Sequence, residues 1–147
     1  MANQQHYTKL WVHLVWATKH RQPIMDKTIK WDIFNHIKEN SKDKDYWIDH
    51  INGMEDHVHC LVGLKPTLSV SKIVNLIKGE SSNWTNKQGL ISDQAFEWQD
   101  GYSAFTVGYS TLNQVRSYIR RQEQHHKQKS YDDEIQEFKL KFGDWGE

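Results

Sequence analysis

Apolar residues along this chain switch between two rhythms, and the switches outline its elements. Tyr7 to Thr18 (YTKLWVHLVWAT) is rich in β-branched and aromatic residues and apolar on both faces, which predicts a buried central strand. Asp26 to Asn40 carries Ile29, Ile33, Phe34 and Ile37 at helical spacing, with Asp26 placed to cap the first turn. Strand rhythm returns in Tyr46 to Gly53 and His57 to Leu64, and Asn52-Gly53 reads as the turn of a hairpin joining them. Beyond Pro66, Thr67 or Ser69 opens a second long helix whose apolar stripe is Val70, Ile73, Val74, Ile77 and Trp84. Lys87 to Tyr102 is a loop, and Ser103 to Tyr109 a fourth strand. Thr111 with Gln114 resembles a capping box heading a third helix striped by Leu112, Val115 and Ile119. Tyr131 to Phe142 is a last helical segment.

The order βαββαβα predicts an α+β fold: a ferredoxin-like split β-α-β antiparallel sheet with helices on one face and a helix added at the C-terminus. At 147 residues the chain fits a single domain, 1–147, able to bury a core without disulfide or metal staples. Cys60 is the lone cysteine and sits on an apolar strand face, which suggests a reducing compartment. Met1 to Gln5 lacks the apolar centre of a signal peptide, and no apolar run nears the roughly 18 to 20 residues of a membrane span. A cytoplasmic protein with no membrane partner is expected.

Within His57 to Leu64 the alternation itself carries chemistry. Val58, Cys60, Val62 and Leu64 form one apolar face, so His57 and His59 project together from the other, about 6.6 to 7 Å apart along the strand. Two such imidazoles suit one metal ion, although a half-buried strand with two polar residues is the plainer reading until a third ligand is found. On the third helix Tyr118 and Gln122 are four residues apart and hence neighbours on one face. Two histidines and a glutamine oxygen would leave open positions on a divalent ion, as a catalytic site requires. With a phosphodiester polarised there, Tyr118 is placed to attack phosphorus and form a covalent phosphotyrosine.

Net charge does not point to a partner, but its distribution marks one patch. Nineteen basic and nineteen acidic side chains cancel over the whole chain. Locally, Arg116, Arg120, Arg121, Lys127 and Lys129 face only Glu123, with His125 and His126 among them, and the acidic segment from Asp132 onward offsets this patch.

Asp56-His57-Val58-His59 and the Tyr118 to His126 helix together resemble the HUH single-strand DNA transposases of the single-catalytic-tyrosine class. These comprise small insertion-sequence transposases and REP-associated tyrosine transposases. Leu14 to Lys19 resembles the family's opening strand, Lys78-Gly79-Glu80-Ser81-Ser82 the turn within its second long helix, and Phe96 to Phe105 the segment entering its last strand. The resemblance implies a DNA transposase that cleaves and rejoins hairpin-marked single-stranded DNA through a 5′-phosphotyrosine intermediate, using Mg²⁺ or Mn²⁺. It implies that Tyr118 is the nucleophile on a C-terminal catalytic helix, that His57, His59 and Gln122 bind metal, and that the protein is a homodimer, although some chromosomal relatives act as monomers. Cys60 replaces a more usual aliphatic residue. The tail from Phe142 to Glu147 is short for the family, which bears on end recognition and regulation more than on cleavage.

Other candidates follow from placement. His13, on a strand beside the third, is positioned to approach His57 or His59. Lys78, Arg116, Arg120 and Arg121 are candidates for DNA phosphates, and Trp84, Trp98, Tyr102 and Phe105 for stacking on unpaired bases. Three rival readings stand beside the transposase: a domesticated nuclease acting on chromosomal palindromes, a non-catalytic single-strand-binding module, and a zinc-stabilised structural protein.

Overall fold

The computed structural model describes residues 6–42, 44–125 and 129–142. His126 and Lys127 of the basic run, the N-terminal five residues and the tail 143–147 lie outside the described residues. The order is β1 (Leu10–Ala17), α1 (Lys27–Asn40), β2 (Tyr46–Met54), β3 (His57–Leu64), α2 (Val70–Gln88), β4 (Ser103–Thr106), α3 (Leu112–Arg120), α4 (Gln122–His125) and α5 (Tyr131–Phe142). The strands form one antiparallel sheet in the order β2-β3-β1-β4, the split β-α-β arrangement expected. Among the described residues no helix is long and apolar enough to cross a membrane.

One sheet face is the main core. Val12, Leu14 and Trp16 of β1 and Val58, Cys60, Val62 and Leu64 of β3 pack there with Ile33, Phe34 and Ile37 of α1 and Ile73, Val74 and Ile77 of α2. Both helices begin on the caps read from the sequence. Asp26 accepts a hydrogen bond from the Ile29 N–H at 3.0 Å, and Ser69 accepts one from the Lys72 N–H at 3.1 Å. α2 runs without a break through Gly79, so the Lys78 to Ser82 segment is helix and holds no turn, and the helix stops at Gly89 with φ 65°.

β2 departs from simple alternation. Tyr46 and Ile48 face the core, and so does Ile51, an odd step that a regular strand would turn outward. A register shift between Ile48 and His50 leaves Asp49 as the extra residue of a bulge, which flips the remainder of the strand. Ile51 and Gly53 then point to the core side while His50 and Asn52 share the face of His57 and His59.

The hairpin turn is Glu55-Asp56, because Met54 already pairs with His57. Asn52-Gly53 therefore lies inside β2, a correction to the expected turn. Gly53 is required by proximity: a Cβ built there would sit 2.1 Å from the His57 carbonyl oxygen.

The opposite face is covered by the C-terminal helices. Leu61 of β3, Val107, Leu112 and Ile119 form a second, smaller core against which Trp11, Val115 and Tyr118 pack. β4 is shorter than Ser103 to Tyr109, since Tyr109 to Thr111 winds as a 3-10 turn running straight into α3. That turn puts Thr111 at φ −109°, ψ 0°, where no capping box forms, and its hydroxyl donates to the Gly108 carbonyl instead.

Candidate active site

β3 delivers His57 and His59 to the face beneath α3 and α5, and both are fully buried. Each has one ring nitrogen held from behind. His57 Nδ1 lies 2.7 Å from Asp56 Oδ1, and His59 Nδ1 lies 2.9 Å from His13 Nε2 of β1. The other nitrogen of each ring, Nε2, points at one atom: both lie 3.3 Å from Glu134 Oε1 of α5. Glu134 is 1% exposed. Its second oxygen accepts a hydrogen bond from Gln122 Nε2 at 3.1 Å.

This packing sets the electrostatics. Burial and the neighbouring His59 hold the His13 pKa well below the usual imidazole value, so His13 is neutral. For His57 burial acts downward, but Asp56 and Glu134 outweigh it and raise the pKa. Burial would raise the Glu134 carboxyl, yet the adjoining His57 and His59 imidazoles prevail and lower it.

His57, His59 and Glu134 present ligand atoms within 4.8 Å of one another. Gln122 is fully buried, and among the described residues no hydrogen-bond partner meets its Oε1. An oriented imidazole pair, a carboxylate and an unpartnered amide oxygen are the donor set a divalent cation takes, so these residues fit one.

Tyr118 stands beside this cluster, with its ring centre 5.7 Å from that of His59 and 6.3 Å from that of His13. Phe138 of α5 lies edge-on at 5.7 Å. A cavity of about 260 Å³ opens next to the tyrosine, walled mainly by Phe105, Val107, Val115 and Phe138. Tyr118 and Gln122 do not share an unbroken helix as their spacing suggested. The chain breaks at Arg121 (φ −99°, ψ 21°), and α4 restarts with Gln122 turned into the buried cluster.

The expected nucleophile, both histidines, Gln122 and His13 thus converge. The phosphate candidates divide. Arg116 is anchored to the bulge residue Asp49 by two bonds of 2.8 and 3.0 Å, and Lys78 holds the Gln99 and Gly101 carbonyls at 2.5 and 3.3 Å. Arg120 is exposed and reaches His50 at 3.1 Å, while Arg121 is exposed. Among the stacking candidates, Trp98 is buried between Trp16 and Phe96, and His36 lies flat on one face of the partly buried Trp84 at 4.0 Å.

Sequence reasoning missed Glu134 and Tyr131, whose ring centre is 5.1 Å from that of His57. It also missed Lys30, 3% exposed, which bonds the Gly53 carbonyl at 3.1 Å and Glu123 at 3.0 Å. The one signal for Glu134 was an acidic residue one turn before Phe138 on an amphipathic helix. That is too common a pattern to mark a ligand.

Residues 6–122 match the family model described as transposase IS200 like. The transposase for insertion sequence element IS200 from Salmonella typhimurium is 28% identical over 116 residues, covering 75% of this chain and 74% of the relative. The Salmonella typhi protein matches equally. A crystal structure assigned as a transposase from Deinococcus radiodurans R1 superposes with a TM-score of 0.67 at 24% identity, over 83% of this chain and 97% of that one. A REP-associated tyrosine transposase bound to a REP hairpin gives 0.58 at 18% identity, over 86% and 74%. The two structures share the fold described above.

Proposed function

We propose how this chain, which belongs to the IS200-like family of DNA transposases, transfers a strand: Tyr118 attacks a single-stranded phosphodiester placed beside His57 and His59. The observation that carries this is the convergence of the Tyr118 ring, both imidazoles and Gln122 at one buried cluster within one chain.

The Tyr118 oxygen forms the new bond to phosphorus, and the bond from phosphorus to the 3′-oxygen breaks. The phenol loses a proton and the departing 3′-oxygen gains one, leaving a 5′-phosphotyrosine and a free 3′-hydroxyl. One phosphodiester replaces another, so the bond is conserved for rejoining without a nucleotide cofactor. At neutral pH only about one phenol in a thousand is ionised, a deficit of roughly 4 kcal/mol that the site must offset.

His57, His59 and Gln122 Oε1 are the residues that would hold Mg²⁺ or Mn²⁺, and the ion when bound supplies Lewis-acid polarisation of the phosphate. Asp56 and His13 fix the two rings so that each Nε2 faces inward. The cavity beside Tyr118 suits an unstacked base or sugar next to the scissile bond, with Phe105 and Phe138 as its walls. Exposed Arg120 and Arg121 are the better placed of the expected phosphate contacts. Hairpin-marked DNA is the substrate, as supported by the fold shared with the hairpin-bound relative. Because Tyr118 stands beside its own chain's histidines, the cleavage step needs no second copy. The homodimer would serve the later exchange of ends.

The test uses labelled single-stranded DNA from the flanks of the gene with Mn²⁺, followed by a search for a denaturant-resistant protein-DNA adduct. Wild type and Tyr131→Phe are expected to form it and Tyr118→Phe to lose it entirely. An adduct that survives in Tyr118→Phe and disappears in Tyr131→Phe would move the nucleophile to α5. Binding without adduct in every variant would favour a non-catalytic single-strand-binding protein.

A further inference from the structure

We propose that Glu134 is a direct ligand of the divalent ion, so that metal binding clamps the C-terminal helix α5 onto the sheet. This rests on the reading that His57 and His59 hold an ion, and it adds a carboxylate from a helix that no sequence motif marks.

The donor spacing supports it first. Glu134 Oε1 lies 3.3 Å from both His57 Nε2 and His59 Nε2. Neighbouring ligands on one ion with bonds of about 2.1 Å are separated by about 3.0 Å in an octahedral site and about 3.4 Å in a tetrahedral one. Glu134 Oε1 thus already has the spacing of a neighbouring ligand to each imidazole, and all three donors lie within 4.8 Å of one another.

The orientation of the ring points the same way. His57 Nδ1 is engaged by the Asp56 carboxylate, which leaves Nε2 directed at Glu134 Oε1 in a buried site, the arrangement of a metal-binding imidazole held from behind by a carboxylate.

The surroundings of the carboxylate complete the set. Gln122 Nε2 fixes Glu134 Oε2, and the buried Gln122 Oε1 has no hydrogen-bond partner among the described residues, which offers the ion a further oxygen. Two imidazoles alone favour zinc, whereas added carboxylate and amide oxygens move the preference toward Mg²⁺ and Mn²⁺. The helix is otherwise held by Tyr131 against His57, by Phe138 against Tyr118 and His13, and by an ion pair between Arg21 and Asp132. Most of these contacts converge on the same cluster, so an ion there would fasten α5.

The test titrates Mn²⁺ into the full-length protein by calorimetry, for wild type, His59→Ala, Glu134→Ala and the near-isosteric Glu134→Gln. Circular dichroism confirms that each variant is folded. Amide exchange across residues 131–142 is followed with and without the metal. Wild type is expected to bind one ion and His59→Ala none; Glu134→Ala should bind at least about tenfold more weakly, with Glu134→Gln between it and wild type. Mn²⁺ should slow exchange in α5 of wild type and leave α5 of Glu134→Ala unchanged. Affinity within about twofold of wild type in both Glu134 variants, with His59→Ala silent, overturns the proposal and leaves the histidine site standing. No binding by wild type overturns both.

Discussion

Both ring nitrogens of His59 are directed, Nδ1 to His13 and Nε2 to Glu134, and the same division holds for His57 between Asp56 and Glu134. Such rings cannot rotate without breaking a buried contact, so the pair is oriented before any substrate arrives. A second oriented group lies one strand away. Burial alone would raise the Asp49 carboxyl pKa, but hydrogen bonds from Arg116 and His50 hold it below the ordinary value. A carboxylate with a lowered folded pKa stabilises the fold fully above its unfolded pKa, near 4, and loses that contribution as pH falls through the folded value. Wild type should therefore lose stability toward acid more steeply than Asp49→Asn, measured by urea unfolding from pH 6 down to pH 3. Parallel declines would contradict this role. His57, His59, Tyr118 and Gln122 drew attention in the sequence through residue type, spacing and the family resemblance together, and the fold brings all four to one place. Glu134 and Asp49 drew none, since their significance lies in partners 75 and 67 residues away in the chain.

At the scale of elements, every strand and long helix follows from the hydrophobic rhythm, and the errors fall where a local signal met a tertiary constraint. Asn52-Gly53 is a strong turn dipeptide, yet the strand runs past it because Met54 can still pair with His57. Gly53 is retained for the close approach of β3, and Lys30 holds its carbonyl. Gly53→Ala is expected to destabilise the protein by about 2 to 3 kcal/mol, because the methyl group meets backbone that cannot move aside cheaply. Chemical denaturation measures this directly, and a change below about 0.5 kcal/mol would show that the hairpin yields. The Asp49 bulge was equally invisible to a reading by alternation, since one inserted residue simply reverses which positions count as inward. The break at Arg121 belongs with these. A spacing of four suggested continuous helix, but the helix ends at Arg121 and restarts at Gln122.

Over the whole molecule the charges balance, so attraction to DNA must come from local groups. Several expected cations are already engaged inside the fold, with Arg116 on Asp49 and Lys78 on the loop carbonyls. If Arg120 and Arg121 contact two phosphates, the log-log dependence of single-strand binding on salt should have a slope of about −1.4, from about −0.7 per phosphate. Arg120→Ala/Arg121→Ala should flatten it, and an unchanged slope would place the contacts elsewhere. The sheet order and the first long helices were legible because they form one continuous core. The second layer was legible only in part: the Leu112, Val115 and Ile119 stripe of α3 was read, but α5 covers His57 and His59 through Glu134 and Tyr131, contacts that no hydrophobic pattern marks. The proposed strand transfer turns above all on which oxygen attacks phosphorus. Trapping the adduct with labelled DNA, digesting it and locating the nucleotide by peptide mass spectrometry answers that directly. A Tyr118 nucleophile predicts the nucleotide mass on the peptide bearing that residue; attachment at Tyr131 or at a non-tyrosine side chain would contradict it.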